Sequence, residues 1–559
     1  MKTATAIVRS FLRIEAVAAI AFLIAPVAQA AYEATIPAPN GVGDVVALTN
    51  ALTELNALSD RTSARIWLQP GTYNLSGVYM TGEEHLMILA CPGGLVAGLG
   101  NKPGDTVLLG GGEAGAHRVI AMGGGGNWAV NTISNLTITG GWSASGDGGG
   151  ILGDPTLVYR NLIVSNNFAK GSGNGAGGGG CFRGCAYNCL FSGNRTGMWG
   201  GGFNVAGYCG MWENEGQGAW NCTFVGNSAA YNGGGFSVSG GQCRDCAFTN
   251  NTASGSGSGV YFYNVDYATF NGTPLTSCAT NCTFSGNVGD GALYVNHDAA
   301  QRNVPVWDCV FRLNRGSTTV HCGDLVDCVI ECNTNGTGVA ANSPLSRCVL
   351  RGNAVGNRYA IGIDYCGTGF PVMTNVNCLV ESNCFLDEFG NILYRKHYVN
   401  CTIIGNYMPN GDNYGYLSQN CVFHNCVLSG NKISTSTFRD VRTVGFQGAV
   451  VAVAMTNCVF SSTDVAAGEI GADGTVTHEG LYNCRKIAAK GLKFANAASG
   501  DYTPTTRSPL YNAGLESDWI LTLAGAEDLA GNARVFDRGI DIGAYECQSN
   551  PPGMMLLVY

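Results

Sequence analysis

The charged residues best suited to chemistry recur at one place in a repeated seven-residue phrase. The first position of the phrase is Asp308, Asp327 and Arg347 in three successive copies. Polysaccharide lyases use carboxylates that bind a cation and neutralise a uronate, together with a basic residue that removes the adjacent proton. These three residues are therefore the catalytic candidates. Ca²⁺ is expected only if the protein is such a lyase, and otherwise no cofactor is expected.

The fifth position of the phrase supports a structural alternative. Its residues alternate in charge, and they are Arg312, Glu331, Arg351 and Glu381. Neighbouring strands use such alternation for cross-strand ion pairs, each worth about 0.2–1 kcal/mol. The sequence also lacks the polygalacturonase arrangement of paired aspartates with Gly-His-Gly and Arg-x-Lys. We therefore interpret the charged rows first as a ladder of salt bridges and second as a catalytic surface.

Aromatic residues point to a binding surface instead. Flat rings pack on the apolar faces of sugars while Asn, Asp and Glu bond to the hydroxyls. Two long connections between repeats are rich in such residues, and the glycan-binding candidates are Trp199, Tyr208, Trp212, Glu213, Glu215, Trp220, Tyr261, Tyr263 and Tyr267. The alternative is that these loops pack on the protein, with Phe203 and alternate residues of the tyrosine run pointing inward.

All of these candidates are positioned by the repeated phrase, which reads NCTFVGN at Asn221. Its copies begin at Asn135, Asn161, Asn188, Asn221, Asp245, Asn281, Asp308, Asp327, Arg347, Asn377, Asn400, Asn425 and Asn457. Successive starts lie 19 to 36 residues apart, which is a spacing typical of solenoid repeats. Each copy therefore predicts one coil of a solenoid.

The side chains within a copy have predictable directions. The Cys and the aromatic or aliphatic residue lie two apart, so they share the inward face of a strand, while the first and fifth residues face outward. Parallel strands repeat about every 4.8 Å, so like residues stack on like. We expect the seventh residue, usually Asn, to take the left-handed turn and to bond to the amides above and below. Glycine runs such as that before Phe236 should turn the chain into the next strand, which begins with an inward aromatic.

The chain contains 24 cysteines. Those in the phrase should stack as unpaired thiols, because parallel Cβ vectors cannot meet the geometry of a disulfide. Cysteines elsewhere could pair locally, for example Cys181 with Cys185 or Cys322 with Cys332. The CxxC formed by Cys243 and Cys246 has no second pair, so we expect no metal site.

Composition excludes several classes of protein. Charged residues make up 12% of the chain, glycine is abundant at 83 residues, and the net charge is −9. These values favour an all-β fold of short strands and tight turns. Nucleic-acid binding needs clustered Lys and Arg, which this chain lacks. The mature chain offers no apolar segment of about 20 residues, so no transmembrane segment is expected. We expect a monomer.

The two ends differ from the repeats. Lys2, Arg9 and Arg13 precede an apolar run and the small-residue motif APVAQA, which together indicate a cleaved secretory signal. Helical spacing over 44–58 predicts a short amphipathic helix that covers the first coil. The predicted organisation is a signal peptide over 1–30, an N-terminal cap with the first coils over 31–90, β-helix repeats over 91–465, C-terminal coils and a cap over 466–546, and a tail over 547–559.

The phrase with its glycine run, as in CTFVGNSAAYNGGGF, resembles the repeats of polymorphic outer-membrane proteins and of pectin-lyase-like proteins. RIWLQPGTY resembles the first coil of that superfamily, and SPLYNAG and DRGIDIGAYE resemble the C-terminal portion of exported choice-of-anchor proteins. The resemblance implies an all-β, single-stranded, right-handed parallel β-helix solenoid with a short N-terminal capping helix. It also implies a bacterial protein that is secreted or held at the cell surface or outer membrane.

The function expected from these observations is adhesion or polysaccharide recognition without catalysis, with polysaccharide or cell-surface glycans as partners. A polysaccharide lyase or glycoside hydrolase of the pectin-lyase-like superfamily is the first alternative, and of the two a lyase fits better. A structural surface protein is the second alternative.

Overall fold

The computed structural model describes residues 32–39, 45–58, 63–76, 86–89, 93–115, 117–123, 131–171, 173, 176–206, 217–263, 269–270, 273–274, 277–296, 304–356, 362–363, 373–386, 391–394, 396–409, 416–419, 421–433, 440–441, 454–537 and 539–549.

The chain winds into a solenoid in which each full coil contributes one short strand to each of four long sheets. We number them sheets I to IV in the order in which a coil visits them. Every described pairing within these four sheets is parallel, for example Phe191 with Phe224 and Phe224 with Phe248. The predicted all-β parallel β-helix is confirmed.

Sheet I contains Glu33–Ile36, Arg65–Leu68, Leu95–Gly98, Asn131–Ser134, Leu157–Arg160, Cys185–Tyr187, Gly218–Trp220, Gln242–Arg244, Cys278–Thr280, Val304–Trp307, Gly323–Val326, Leu345–Ser346, Thr374–Val376, His397–Val399, Val422–His424, Ala454–Thr456 and Leu481–Tyr482. Sheet II contains Gly71–Asn74, Thr106–Leu109, Thr137–Thr139, Ile163–Ser165, Leu190–Ser192, Thr223–Val225, Ala247–Thr249, Thr283–Ser285, Val310–Arg312, Val329–Glu331, Val349–Arg351, Leu379–Glu381, Thr402–Ile404, Val427–Ser429, Val459–Phe460 and Arg485–Lys486.

Sheet III contains Trp142–Ser143, Phe168–Ala169, Arg195–Thr196, Ser228–Ala229, Thr252–Ser256, Val288–Asp290, Arg315–Gly316, Thr334–Asn335, Ala354–Val355 and Cys384–Phe385. Sheet IV contains Leu86–Leu89, Ile120–Gly123, Ile151–Leu152, Cys181–Phe182, Phe203–Val205, Phe236–Ser239, Val260–Tyr263, Leu293–Asn296, Val320–His321, Ala340–Ala341 and Gly362–Ile363.

Outside these sheets, Asn391–Tyr394 pairs in parallel with Tyr416–Gln419, while Thr269–Phe270 with Thr273–Pro274 and Phe494–Asn496 with Asp501–Pro504 form antiparallel pairs. The described helices are α1 (Val45–Ala57), α2 (Gly112–Gly115) and α3 (Asp518–Ala524), with 3₁₀ turns at Pro103–Asp105, Ala467–Glu469, Ala489–Leu492 and Ala497–Ser499.

Helix α1 covers the first coil, as the sequence predicted. Its buried face includes Val45, Leu48 and Leu52, which belong to the same core as Ile66 of sheet I. The Tyr32 hydroxyl donates to the Ala51 carbonyl at 3.1 Å and ties the first strand to the helix. The apolar end of the solenoid is thereby withdrawn from water, which protects an edge that could otherwise pair with another chain.

Columns of identical side chains fill the interior. Phe191 and Phe224 stack with ring centroids 4.8 Å apart and planes inclined by 5°, and the column continues through Phe248, Phe284 and Phe311. Full burial of one such ring contributes about 1.5–3 kcal/mol. The predicted inward direction of the Cys and aromatic positions is confirmed.

The cysteine column is a row of buried free thiols. Cys222 Sγ donates to the Trp220 carbonyl at 3.2 Å, and other members of the column repeat this bond to the residue two before. Burial raises the pKa of the Cys348 thiol well above its ordinary value, because an apolar column disfavours a thiolate. Cys243 and Cys246 are buried free thiols as well.

The suggested local disulfides are wrong. Cys181, Cys185, Cys322 and Cys332 are all free. Cys181 is fully buried in the core, and Cys185 belongs to a separate apolar cluster with Val158. Cys322 is buried whereas Cys332 is exposed. The members of each suggested pair therefore lie in different surroundings.

A buried asparagine ladder runs along the turn after sheet II. Asn227 Nδ2 donates to Asn251 Oδ1 at 3.0 Å and to the Phe191 carbonyl at 2.9 Å. The same pattern recurs from Asn167 to Asn431, where Asp440 Oδ1 ends the row by accepting from Asn431 Nδ2 at 2.7 Å. The predicted amide ladder is confirmed.

The predicted left-handed backbone at this asparagine is wrong. The positive φ belongs to the residue before it, such as Gly226 with φ 62°. That residue turns the chain at the end of the sheet II strand. The side-chain amide of the asparagine after it can then point into the core. A second corner, between sheets I and II, places the first residue of the phrase at a positive φ, for example 51° at Asn221.

The glycine runs are required by the close approach of neighbouring coils. A Cβ on Gly234 would lie 2.4 Å from the Thr252 carbonyl oxygen and 2.5 Å from that of Ser258. Such distances are too short for non-bonded atoms, so only glycine fits. Phe203 and Phe236, which follow these runs, both point into the core as predicted.

The C-terminal segment, residues 501–549, folds back along the outside of the last coils. Ile520 and Ile540 pack on Val376 and Val399 of sheet I. Leu510 and Ile542 pack on Val427 and Val459 of sheet II. Among the described residues no helix is long and apolar enough to cross a membrane.

Candidate functional site

The corner between sheets I and II presents a line of polar side chains along the solenoid. We call the first residues of the phrase the corner row. From Asn161 to Asp327 these residues are exposed, and Arg347 is half-buried. Each adopts a positive φ, with values of 54° at Asp308 and 55° at Asp327. Asn and Asp tolerate this conformation, which explains why they dominate the row.

A second line of side chains lies directly beside the corner row. It consists of the last residue of successive strands of sheet I, and we call it the edge row. In register, its members are Arg160, Tyr187, Trp220, Arg244, Thr280 and Trp307. These side chains point away from the core. Arg160, Arg244 and Trp307 are exposed, whereas Tyr187 and Trp220 are half-buried and pack against an apolar cluster on the outside of sheet I.

The first half of the edge row is internally stacked. Tyr187 and Trp220 lie face to face, with centroids 4.7 Å apart and planes inclined by 9°. The guanidinium carbon of Arg160 lies 4.6 Å from the centre of the Tyr187 ring, a cation–π contact. Arg244 follows Trp220 in register and is exposed. This stack presents ring edges and cationic groups to solvent.

Trp307 differs because neither of its neighbours in register is aromatic. Its neighbours in register are Thr280 and Val326, which are small. No aromatic ring among the described residues stacks on it, and 45% of the residue is exposed. An indole exposed to this extent can contact an apolar ligand surface.

The three catalytic candidates lie together on the corner row, but two of them engage each other. Arg347 Nε donates to Asp327 Oδ1 at 2.7 Å, and Arg347 Nη2 donates to Asp327 Oδ2 at 2.7 Å. Burial and the charge of Asp327 raise the pKa of the neighbouring Asp308 carboxyl, while Arg347 lowers it. Asp308 therefore has no ion-pair partner among the described residues, whereas Asp327 and Arg347 pair with each other.

The predicted salt-bridge ladder is present at the fifth position as well. Arg351 Nη2 lies 2.8 Å from Glu331 Oε2. Glu381 accepts a hydrogen bond of 2.6 Å from the Tyr502 hydroxyl instead of pairing with a cation. The structural interpretation of the charged rows is therefore confirmed at the pairs 327–347 and 331–351.

Other aromatic candidates lie on the outer face of sheet IV and not on the edge row. Tyr261 and Tyr263 are 4% and 6% exposed, and Trp199 contacts both edge-on, with centroids 5.4 and 5.0 Å away. Burial raises the pKa of Tyr261 to about 12. Tyr294 continues the row and stacks on His321 at 4.2 Å. This cluster is mainly packed against itself, which leaves little ring surface for a ligand.

The structure thus separates Trp220 from Trp199, Tyr261 and Tyr263. The remaining candidates lie outside the described residues, and they are Tyr208, Trp212, Glu213, Glu215 and Tyr267.

Residues of the edge row other than Trp220 were missed by the sequence argument. Arg160, Tyr187, Arg244 and Trp307 each stand immediately before a copy of the phrase. Reading one position upstream of every copy would have found them. The strand of sheet I ends at that residue, so its side chain points outward next to the corner.

Comparisons with known proteins were made with both sequence and fold. No protein-family model matches the chain, and no curated protein matches it. Among solved structures, a mannuronic acid specific polysaccharide family 6 lyase from human gut microbiota is 12% identical, with 84% of this chain and 93% of that chain covered and a TM-score of 0.31.

A tailspike protein mutant of E. coli bacteriophage HK620 in complex with pentasaccharide is 14% identical, with 80% of this chain and 78% of that chain covered and a TM-score of 0.28. A PL6 alginate lyase in complex with trisaccharide is 10% identical, with 82% and 86% covered and a TM-score of 0.24. At TM-scores below 0.5 these likenesses say nothing of what this chain binds.

Proposed function

We propose that this protein is an exported β-helix that recognises polysaccharide along the edge row and the corner row and does not cleave it. The observation that supports this proposal is the line of aromatic and cationic side chains, in which Arg160, Arg244 and Trp307 are exposed, beside a line of exposed Asn and Asp. Export follows from the leader over 1–30, and surface attachment from the resemblance of the repeats and of the C-terminal segment.

The chemistry of the two rows matches the two kinds of surface on a sugar. The faces of a pyranose ring carry C–H groups, which pack on an indole, and its rim carries hydroxyls, which bond to amides and carboxylates. Trp307 offers the first surface and Asn281 and Asp308 of the corner row offer the second. Because both rows run parallel to the solenoid axis, a bound chain would lie along that axis.

The hydrogen bonds between two of the three catalytic candidates favour binding without cleavage. Asp327 has both carboxylate oxygens bonded to Arg347, so neither residue is free to bind a cation or remove a proton. Asp308 supports a lyase as the second candidate function, since a carboxyl group with a raised pKa can exchange a proton with substrate.

The test is binding of neutral and uronate-containing polysaccharides to the purified mature protein, measured by affinity electrophoresis and calorimetry. Trp307→Ala should weaken binding about tenfold or more, because a buried large apolar side chain is worth about 1.5–3 kcal/mol. The matched control is Tyr231→Ala, which removes a ring that is 55% exposed and lies outside both rows. Equal loss in both variants would contradict the assignment.

Turnover is measured in the same samples, with and without calcium, by the absorbance of unsaturated products. No product is expected. Product formation that is abolished by Asp308→Asn would establish the lyase instead. Absence of both binding and product would favour the remaining alternative, a structural surface protein.

A further inference from the structure

A groove of about 650 Å³ lies at the C-terminal end of the solenoid, away from the edge row. Its walls are the last strand of sheet II, the loop over 470–474 and the segments around 491–493 and 507–509. The charged residues that line it are Asp473, Arg485, Lys486, Lys493 and Arg507. Four cationic side chains face one carboxylate in a chain whose net charge is −9.

Three cations of this groove, Lys486, Lys493 and Arg507, have no salt bridge to a carboxylate among the described residues. Described salt bridges involve Arg347, Arg351, His478 and Arg534 only. Asp473, the one acidic group in the lining, is occupied by Thr475, whose backbone N and Oγ1 donate to it at 3.0 and 2.8 Å. Those hydrogen bonds lower the pKa of Asp473. The charge of Arg485 lowers it further, and Arg485 Nη2 donates to the Asp473 backbone carbonyl at 3.4 Å. Asp473 therefore balances Arg485, and the groove keeps an excess of positive charge.

Lys486 breaks the pattern of the core column. Asn483 and Cys484 begin one more copy of the phrase, which makes Lys486 its fourth residue, in register with the fully buried Phe460. The described copies before it place an aliphatic or aromatic side chain there, as at Phe311 and Ile403. This half-buried cation replaces an apolar side chain at an inward position and lies in the lining of the groove.

The backbone around the groove is firmly held. Lys486 N donates to the Gly474 carbonyl at 2.7 Å. The Lys493 carbonyl accepts from Thr505 N at 3.1 Å and from Thr505 Oγ1 at 2.9 Å. Leu492 is buried against Val459. The cationic side chains therefore project from fixed positions, which lowers the entropic cost of binding.

We infer that this groove is an anion-binding site for acidic polysaccharide, which it recognises through carboxylate or sulfate groups. Arg485 and Arg507 can each bind such a group with two parallel hydrogen bonds, and Lys486 and Lys493 add compact charges. The site differs from the edge row in place and in chemistry, so it would stand even if the edge row bound no glycan.

The experiment measures binding of a polyuronate trisaccharide, a sulfated oligosaccharide of similar length and a neutral trisaccharide to the full mature chain by calorimetry. Short probes are used because they cannot reach from the groove to the edge row. The acidic probes should bind, more weakly as salt is raised, and the neutral probe should not. Preference between the two acidic probes identifies the anionic group.

Arg507→Gln and Lys493→Gln should each weaken binding of the acidic probes about tenfold, the loss expected for one hydrogen bond to a charged group. Lys490→Gln is the matched control: it removes the same charge from an exposed lysine in the same segment that does not line the groove. Equal loss in the control, or unchanged binding in both groove variants, would overturn the inference.

Two further outcomes separate this site from the proposed function. Trp307→Ala should leave binding of the acidic trisaccharide unchanged, and Arg507→Gln should leave binding of neutral polysaccharide unchanged. Loss of acidic-probe binding in Trp307→Ala would place the anion site on the edge row and would overturn the assignment to the groove. Both exposed groove positions avoid the core, so circular dichroism should show wild-type folding.

Discussion

The corner between sheets I and II has two regions built on the same backbone but with opposite exposure. Asn221 and Asn425 occupy equivalent positions, with φ values of 51° and 52°. Asn221 is exposed, whereas Asn425 is completely buried. The covered region comprises Asn377, Asn400, Asn425 and Asn457, and the C-terminal segment lies over it. Identical local conformations therefore do not decide whether this corner can bind a ligand.

The difference lies in what the outward side chains contact. In the covered region, Asn377 Nδ2 donates to the Ala524 carbonyl at 2.7 Å, and Asn457 Nδ2 donates to the Ala513 carbonyl at 2.8 Å. In the open region, Asn221 Nδ2 donates only along the row, to Asn188 Oδ1 at 2.8 Å. The first residues of the covered coils point away from the core, as the sequence predicted, but they do not reach solvent, because these asparagines bind the backbone of the C-terminal segment.

The edge-row position, one residue before the phrase, also differs between the covered and the open coils. Val376 and Val399 occupy the edge-row position in the covered coils and pack on the C-terminal segment. Trp220 and Arg244 hold that position in the open coils. His424 holds the same position in another covered coil and contacts Trp519 of the segment edge-on, with ring centroids 4.8 Å apart. The comparison teaches that one solenoid face is covered and stabilises the protein at one end, and is more exposed at the other.

The largest expected effect comes from removing apolar contacts in the covered region. Ile540→Ala should lower the free energy of unfolding by about 2–5 kcal/mol, because Ile540 is fully buried between Val376, Val399 and Ile520. Guanidinium unfolding followed by circular dichroism measures the loss. Val535→Ala, at a residue in the same segment that is 57% exposed, should be close to neutral. An unchanged Ile540→Ala midpoint would show that the segment does not stabilise the coils.

The second-largest effect is the difference in stability loss between alanine variants of Asn425 and Asn221. Asn425 Nδ2 donates to the Leu515 carbonyl at 3.0 Å, and Leu515 N donates to Asn425 Oδ1 at 2.7 Å. Asn425→Ala should cost about 1–3 kcal/mol more than Asn221→Ala, because it strands buried backbone groups while both variants share the cost of the left-handed φ. Thermal unfolding of both variants gives the difference. Equal losses would mean that the covered corner gains nothing from these bonds.

The stability of the covered region should also depend on pH, through a buried carboxyl group. Burial raises the pKa of Glu546 to about 9 from its ordinary value of 4.5, against the opposing effect of Arg534, whose Nε lies 3.5 Å from Glu546 Oε2. Between those values the folded protein keeps a proton that the unfolded chain releases, so stability falls as pH rises through this window, by at most about 1.4 kcal/mol per pH unit. Below the window both states are protonated, and above it both are ionised.

Glu546→Gln should flatten this slope, measured as unfolding midpoints from pH 5 to about pH 8.5, because a neutral amide cannot titrate. Glu527→Gln, at an exposed residue of the same segment, should keep the wild-type slope. A wild-type slope that persists in Glu546→Gln would assign the proton to another buried group, such as Asp541, whose pKa burial also raises.

The smallest effect concerns the open region. Asp327 and Arg347 form a bidentate pair whose side chains are 40% and 23% exposed. A double-mutant cycle with Asp327→Ala and Arg347→Ala should give a coupling of about 0.2–1 kcal/mol, reduced by salt. Unaltered glycan binding in both single variants would support Trp307 as the main contact. A coupling well above this range would indicate that the open corner is also built for stability.

Much of the fold could be predicted because the repeated phrase expresses it locally. Cys222 and Phe224 stand two apart and point inward, as strand geometry requires. The ladder of Asn227 was also expected, but its backbone conformation was assigned one residue too late. A corner of two residues can place the left-handed conformation on either, and Gly226 is the better host because it has no Cβ.

The binding surface was harder to predict. Trp220 was named for its place in a long loop, yet it ends a strand of sheet I and stacks on Tyr187, which lies 33 residues earlier. Tyr187 and Trp307 do not stand out in the sequence, since each is a single aromatic residue before a copy of the phrase. Only the register of neighbouring coils brings these residues into one line.

The sequence by itself determined the repeating unit: which side chains enter the core, where glycine is needed and how the first coil is covered. These features depend on contacts between a residue and its equivalent one coil away, so every copy carries the information. Tertiary structure alone decided which part of the corner is exposed, because residues 501–549 return to coils that lie 56 residues earlier at Asn457 and 147 residues earlier at Asn377. That choice depends on complementarity between distant surfaces, which no single copy of the phrase contains.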